Sequence, residues 1–222
     1  MYKAPGETLM NRSNATPPDT RGSRTVEILR FAALVLASTW LLAGCDKPVE
    51  NNHVTVKSEA PPVAESALAK AAIQGNLAEI KTLLDAGAEI NSRDALGRTP
   101  LHMAAFYGRP KTTDLLISRG AEINAKDLIG MTPLHAAVLS GGRAEVELLL
   151  LNKADLNAQS DAGQTALHLA AATGQPKLSK FLIERGADPQ VKDADGKTPL
   201  FYAQRNQHPQ TTALFQQYSA KK

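Results

Sequence analysis

Thr99-Pro-Leu-His102 returns as Thr132-Pro-Leu-His135, as Thr165-Ala-Leu-His168 and as Thr198-Pro-Leu-Phe201, each copy 33 residues after the last. Gly75, Gly108, Gly141 and Gly174 keep the same step, as do Gly87, Gly120 and Gly186, with Lys153 breaking the second series. A fixed period of this length restricts the chain to stacked supersecondary units, each too small to bury its apolar face alone. Within a period the order is turn, short helix, Gly, second helix, Gly and an extended arm. Thr at the head of the motif can cap the first helix, with Pro at the first helical position, where no backbone donor is lost. Pro110, Pro176 and Pro209 open second helices for the same reason. The closing glycines take the left-handed conformation cheaply, so Lys153 is expected to carry local strain. Asp94-Ala-Leu-Gly97, Asp127-Leu-Ile-Gly130 and Asp193-Ala-Asp-Gly196 read as tight turns at hairpin tips.

Leu83, Leu116, Leu149, Leu182 and Phe215 share one register, and Leu84, Ile117, Leu150 and Ile183 share another. Stacked, they predict one continuous core. The chain is 43% hydrophobic but only 5% aromatic, so that core must be mainly aliphatic. The first unit carries Ser66-Ala-Leu-Ala69 in place of the motif, and the last puts Phe201 at the histidine position, as capping units would. Period, motif and turn residues together resemble the ankyrin repeat over residues 62–222. The resemblance implies an all-α ankyrin-repeat solenoid of five helix-turn-helix units with hairpin tips, near 62–94, 95–127, 128–160, 161–193 and 194–222. It also implies a protein-binding role without catalysis.

Ahead of the repeats, Phe31 to Gly44 is an uncharged, mainly apolar run of 14 residues behind Arg24 and Arg30. About 20 residues are needed to span a bilayer, so the run suits the apolar core of a signal peptide. It ends in Leu42-Ala43-Gly44-Cys45, which resembles the lipobox of bacterial lipoproteins. That resemblance implies cleavage after residue 44 and a lipid, palmitate included, on Cys45. The alternative is an uncleaved anchor or a buried apolar helix, with an incidental cysteine. The polar stretch before Arg24 departs from the family pattern and points to a true start nearer Val26 or Leu29. Asp46 resembles the inner-membrane retention signal of enteric-type bacteria. Residues 45–61 are polar and proline-bearing and read as a flexible tether, with a span of about 25 Å for some 18 residues of coil. The reading is therefore 1–44 signal peptide, 45–61 lipidated tether and 62–222 repeat domain, in the periplasm on a membrane.

Net charge narrows the partners. The sequence pI of about 9.0 invites nucleic acid, but five of the 25 Lys/Arg precede residue 31. From Cys45 onward twenty basic residues face nineteen acidic ones, unclustered. Non-specific nucleic-acid affinity needs concentrated positive charge, so that class is set aside.

Chemistry finds little purchase. Equivalent groups on helices about 8–10 Å apart spread His102, His135 and His168 over about 20 Å, whereas zinc needs donors about 2.0–2.1 Å away. The family resemblance implies instead that these histidines hydrogen-bond between neighbouring repeats. His208, before a proline, is expected to face water. No nucleophile, base and acid set stands out, and no phosphate-cradling loop is present. No enzyme activity, cofactor or metal is expected; a repeat-bearing hydrolase is the rival of a different class.

In ankyrin-repeat proteins, partners usually meet the hairpin tips and the exposed side of the first helix. By register, units two and three place Leu96, Arg98, Phe106, Tyr107, Leu128, Ile129, Met131 and Leu139 there. Units four and five place Asp161, Ala162, Gln164, Ala172 and Thr173, then Ala194, Asp195, Lys197, Arg205 and Asn206. A contiguous apolar patch usually marks a binding surface, so a protein partner is expected across units two and three of a monomer. The competing account is that some of these side chains pack between units. Two roles fit such a binder: a scaffold or chaperone, or an immunity protein neutralising a toxic enzyme that acts in the periplasm.

Overall fold

The computed structural model describes residues 66–219. The leader, Cys45 and the tether lie outside the described residues, as do the last three residues. Ten helices follow in five pairs: α1 (Ala67–Gln74) and α2 (Leu77–Asp85), α3 (Pro100–Phe106) and α4 (Pro110–Ser118), α5 (Pro133–Ser140) and α6 (Arg143–Leu151), α7 (Ala166–Ala172) and α8 (Pro176–Glu184), α9 (Pro199–Arg205) and α10 (Pro209–Ser219). The described residues contain no strand. First helices pack on first helices and second on second, so two layers run the length of the stack.

Each first helix starts where the sequence places a capping residue. Ser66 accepts from the Ala69 amide at 3.1 Å, and Thr99, Thr132 and Thr165 sit in extended backbone ahead of α3, α5 and α7. In these three the histidine completes a capping box. The Thr99 amide donates to His102 Nδ1 at 3.1 Å, and the same bond joins Thr132 to His135 at 3.1 Å and Thr165 to His168 at 3.2 Å. An Nδ1 that accepts leaves Nε2 as the N–H donor. Nε2 accordingly donates into the next unit: His102 to the Met131 carbonyl at 3.0 Å, His135 to Gln164 at 3.2 Å and His168 to Lys197 at 3.1 Å. The bonds between neighbouring repeats are therefore present, and each imidazole is neutral and fully used.

A second set of bonds links the other end of the first helices. Arg109 Nε donates to the Ile73 carbonyl at 2.9 Å, and Gln175 Nε2 to the Val138 carbonyl at 2.9 Å. His208 Nε2 lies 3.0 Å from the Ala172 carbonyl. Its ring also covers Gly174, where a Cβ would fall 2.5 Å from it. The expectation that His208 faces water is thus corrected: it stands in the register that reaches back to the preceding unit, and that register draws it inward.

The core is aliphatic and falls into two buried clusters, around Ile80, Leu101 and Leu116 and around Leu134, Leu149, Leu182 and Phe215. Ile117 and Ile123 pack against both and join them. Leu83, in the first unit, is only half-buried, while Ile80 is fully buried there. A terminal unit has a neighbour on one side only, so its outer residues keep some contact with water.

Lys153 has φ of 67°, and Gln207, in the inter-helix glycine register, has φ of 58°. The anticipated strain at Lys153 is present because the turn after α6 demands a left-handed residue whatever the side chain. A Cβ there costs roughly 1–2 kcal/mol. Lys153→Gly should raise the melting temperature by about 2–4 °C; a lower melting temperature would mean that the lysine side chain contributes more than its backbone costs.

Leu149 is wholly buried, whereas Leu151 is 73% exposed on the same helix. Leu149→Ala should lose about 2–5 kcal/mol in denaturant titrations. Leu151→Ala should lose no more than about 0.5 kcal/mol. Equal losses would contradict the register of α6.

Candidate protein-docking face

The hairpin tips are built by short side chains that satisfy the turn from within. Asp94 Oδ1 accepts from the Leu96 and Arg98 amides at 2.9 and 2.8 Å. Asp127 does the same for Ile129 and Met131 at 3.0 and 2.8 Å, and Asp193 for Asp195 and Lys197 at 3.0 and 2.8 Å. In unit four Ser160 replaces the aspartate and accepts from the Gln164 amide at 3.2 Å. Successive tips are tied by one backbone bond each, from Leu128 to Leu96, Asp161 to Ile129 and Ala194 to Ala162, all at 3.0 Å. With their polar atoms spent inward, the tips present the side chains between Asp and Gly to solvent.

In units two and three those side chains are large and apolar. Leu96 is 41% exposed, Leu128 69% and Ile129 43%. Leu128 also packs across its neighbour's tip, where a Cβ at Gly97 would fall 3.1 Å from Leu128 Cγ. Tyr107, 48% exposed, closes the far end of α3. Seven helical residues separate it from the tip side, a rise of about 10 Å. The exposed apolar groups thus form two prongs, one on the tips and one at the end of α3.

The remaining predicted residues behave differently. Phe106 is half-buried, with its ring edge-on to Tyr107 at 5.3 Å between centroids. Met131 and Leu139 are partly buried against the larger core cluster. Packing within the stack therefore accounts for part of their surface. Arg98 is held by its own tip: Nε and Nη2 reach Asp94 Oδ2 at 2.7 and 2.6 Å. Burial would raise the Asp94 carboxyl, but the Arg98 guanidinium and the Arg98 and Leu96 amides outweigh it and hold the group below its usual range.

Units four and five turn small or charged groups outward on the same register, with Asp161, Ala162, Ala194, Asp195, Lys197 and Arg205 all exposed. Behind these tips lies a polar cluster that leaves little trace in the sequence. The Tyr202 hydroxyl donates to Asp193 Oδ2 at 2.6 Å and accepts from Gln164 Nε2 at 3.0 Å, with its ring edge-on to His168 at 5.9 Å. Tyr202 is raised by burial and then by the Asp193 bond. The only signal in the sequence is a tyrosine at the place where other units carry Met103, Ala136 and Leu169.

Burial lowers His102, His135 and His168, with His135 down to about 4. Among the described residues no three His, Cys, Asp or Glu side chains converge where they could hold a metal ion. What the face offers is shape and apolar area on a stiff scaffold.

Comparison with known proteins agrees with the architecture. The family model for ankyrin repeats (three copies) matches residues 36–127, 68–160 and 134–222. No curated protein matches the chain. With paired helices, histidine bonds between units, aspartate-built tips and a family match over most of its length, the chain belongs to the ankyrin-repeat family.

Proposed function

We propose that the protein is a periplasmic lipoprotein, tethered through Cys45, that binds a partner protein across units two and three and performs no catalysis. The observation that carries the binding reading is the contrast along one register. Leu96, Tyr107, Leu128 and Ile129 are exposed in units two and three, against small and charged groups in units four and five. Burying a Leu or Phe side chain is worth about 1.5–3 kcal/mol, so wet apolar groups concentrated on one half of a rigid face favour a docking role. Tyr107 suits an anchor, being large, fairly rigid and able to keep its hydroxyl at the rim. The membrane reading rests on the short apolar run, its arginine flank and the Leu42-Ala43-Gly44-Cys45 sequence. Asp46 favours the inner membrane. Among the described residues no helix is long and apolar enough to cross a membrane.

Replacement of Tyr107 by Ala together with Leu128 by Ser should weaken capture of the principal protein co-purifying from membrane extracts by at least about tenfold, or about 1.4 kcal/mol. Circular dichroism and melting temperature should barely change, since both side chains are largely outside the core. Lys197→Ala with Asn206→Ala should matter less. Undiminished capture by a folded Tyr107/Leu128 variant would move the interface elsewhere.

Lipid attachment is tested separately. Cys45→Ser should abolish incorporation of labelled palmitate and release the protein from the membrane fraction. Unchanged processing and attachment in that variant would rule the lipoprotein reading out.

A further inference from the structure

The junction between units two and three differs from those beside it. Arg109, Gln175 and His208 reach back to a carbonyl of the preceding unit, but the same register in unit three is Gly142, which has no side chain to do so. Glu145 folds into that space: a Cβ on Gly142 would fall 3.3 Å from Glu145 Cγ. Glu145 lies in the first turn of α6 and is 1% exposed. Neither carboxyl oxygen has a hydrogen-bond partner among the described residues. The corresponding residues of units two, four and five are uncharged: Thr112, Leu178 and Thr211.

Among the described residues nothing charged compensates it. The helices packed on α6 are α5 and α4. On α5 the one titratable group, His135, is committed to Thr132 and Gln164. On α4, Lys111 and Asp114 are exposed. On α6 itself, Arg143 and Glu147 pair with each other at 2.8 Å. On α8, Lys177, Lys180 and Glu184 are exposed. The Thr113 hydroxyl of α4 acts on the carboxyl, yet neither group completes a hydrogen bond.

We propose that Glu145 makes the seam between α4 and α6 a proton-operated hinge, closed when the carboxyl is neutral and loosened when it ionises. A buried carboxylate without a partner is costly, whereas a carboxylic acid is tolerated and can donate to a neighbouring hydroxyl. In agreement, burial, opposed only in part by Thr113, pushes the group from 4.5 up to about 7. The unfolded chain then releases its proton first. Between pH 4.5 and about 7 the native state binds more protons, so the seam loses stability as pH rises. The three buried histidines act in the opposite sense, since their lowered values make the fold lose stability as pH falls below 6.5. The hinge is therefore read from the difference between wild type and Glu145→Gln, in which the histidine effects cancel. It holds or fails whatever the partner is.

Native-state hydrogen exchange on the full chain tests it. Wild type and Glu145→Gln are compared in the same buffer at pH 5 and at pH 8, so that intrinsic exchange rates cancel too. From pH 5 to pH 8, the ratio of wild-type to variant exchange rates for α4 and α6 amides should grow roughly 10- to 100-fold. Amides of α8 and α10 should show a smaller change. A ratio that stays constant across this range overturns the hinge. Should Glu145→Gln fail to fold, Glu145→Leu, matching Leu178, replaces it. The carboxyl carbon of Glu145 is also followed by NMR in wild type: a midpoint above about 6 supports the proposal, and one at or below 6 overturns it.

Discussion

The stack rests on one buried bond made three times, from a histidine Nε2 to a carbonyl of the next unit. Its direction is fixed by the other ring nitrogen, which accepts from the threonine amide at the helix start. One side chain thus caps its own helix and fastens the following tip. The net worth of such a bond is about 0.5–1.5 kcal/mol, but a buried partner left unsatisfied costs about 1–3 kcal/mol. The bond therefore contributes more to the uniqueness of the stacking than to its strength. Aliphatic burial supplies most of the strength, and the histidines set the register in which it occurs. The last unit can omit the histidine, as Phe201 shows, because no described unit follows for it to fasten, whereas Ala69 in the first unit leaves its junction with unit two without this bond.

Much of this was legible in the sequence because a repeat reports on itself. Recurrence at 33 residues marks the turn, cap, core and closing positions several times over, and a departure such as Lys153 stands out against its equivalents. The features that escaped are departures whose consequence depends on contacts between units. His208 looked solvent-facing because it precedes a proline, yet its register aims it at Ala172. Glu145 reads as an ordinary glutamate in the first turn of a helix, and only stacking shows that the turn is covered. Phe106, Met131 and Leu139 share the register of the docking face, but the scaffold covers part of each. Register identifies the side of a helix; it does not say how much of a long side chain the neighbouring unit covers.

Polar groups are also distributed unevenly within the second-helix layer. The hydroxyls of Thr112, Thr113, Ser179 and Thr211 are buried without partners among the described residues, alongside the Glu145 carboxyl. In the first-helix layer, by contrast, every buried histidine is bonded at both nitrogens. One layer holds the register and the other tolerates imperfect pairing. Cooperativity in such stacks comes from nearest neighbours, so a weakness in one layer at one junction stays local.

The two kinds of reach between units do not fall evenly along the stack. The junctions of units three to four and four to five each have both a histidine bond and a backward bond. The junction of units one and two has Arg109 but an alanine at the histidine position, and that of units two and three has His102 but a glycine at the backward position. Interfaces joined end to end behave as springs in series: all bear the same tension, and extension gathers in the softer ones. The two junctions that lack one reach are tied elsewhere, by Arg93 to the Lys126 carbonyl and Arg119 to Asp85 between units one and two, and by Lys126 to the Gln159 carbonyl between units two and three. A tension applied across the ends of the domain would then be carried at those two junctions partly by exposed bonds, which water can replace.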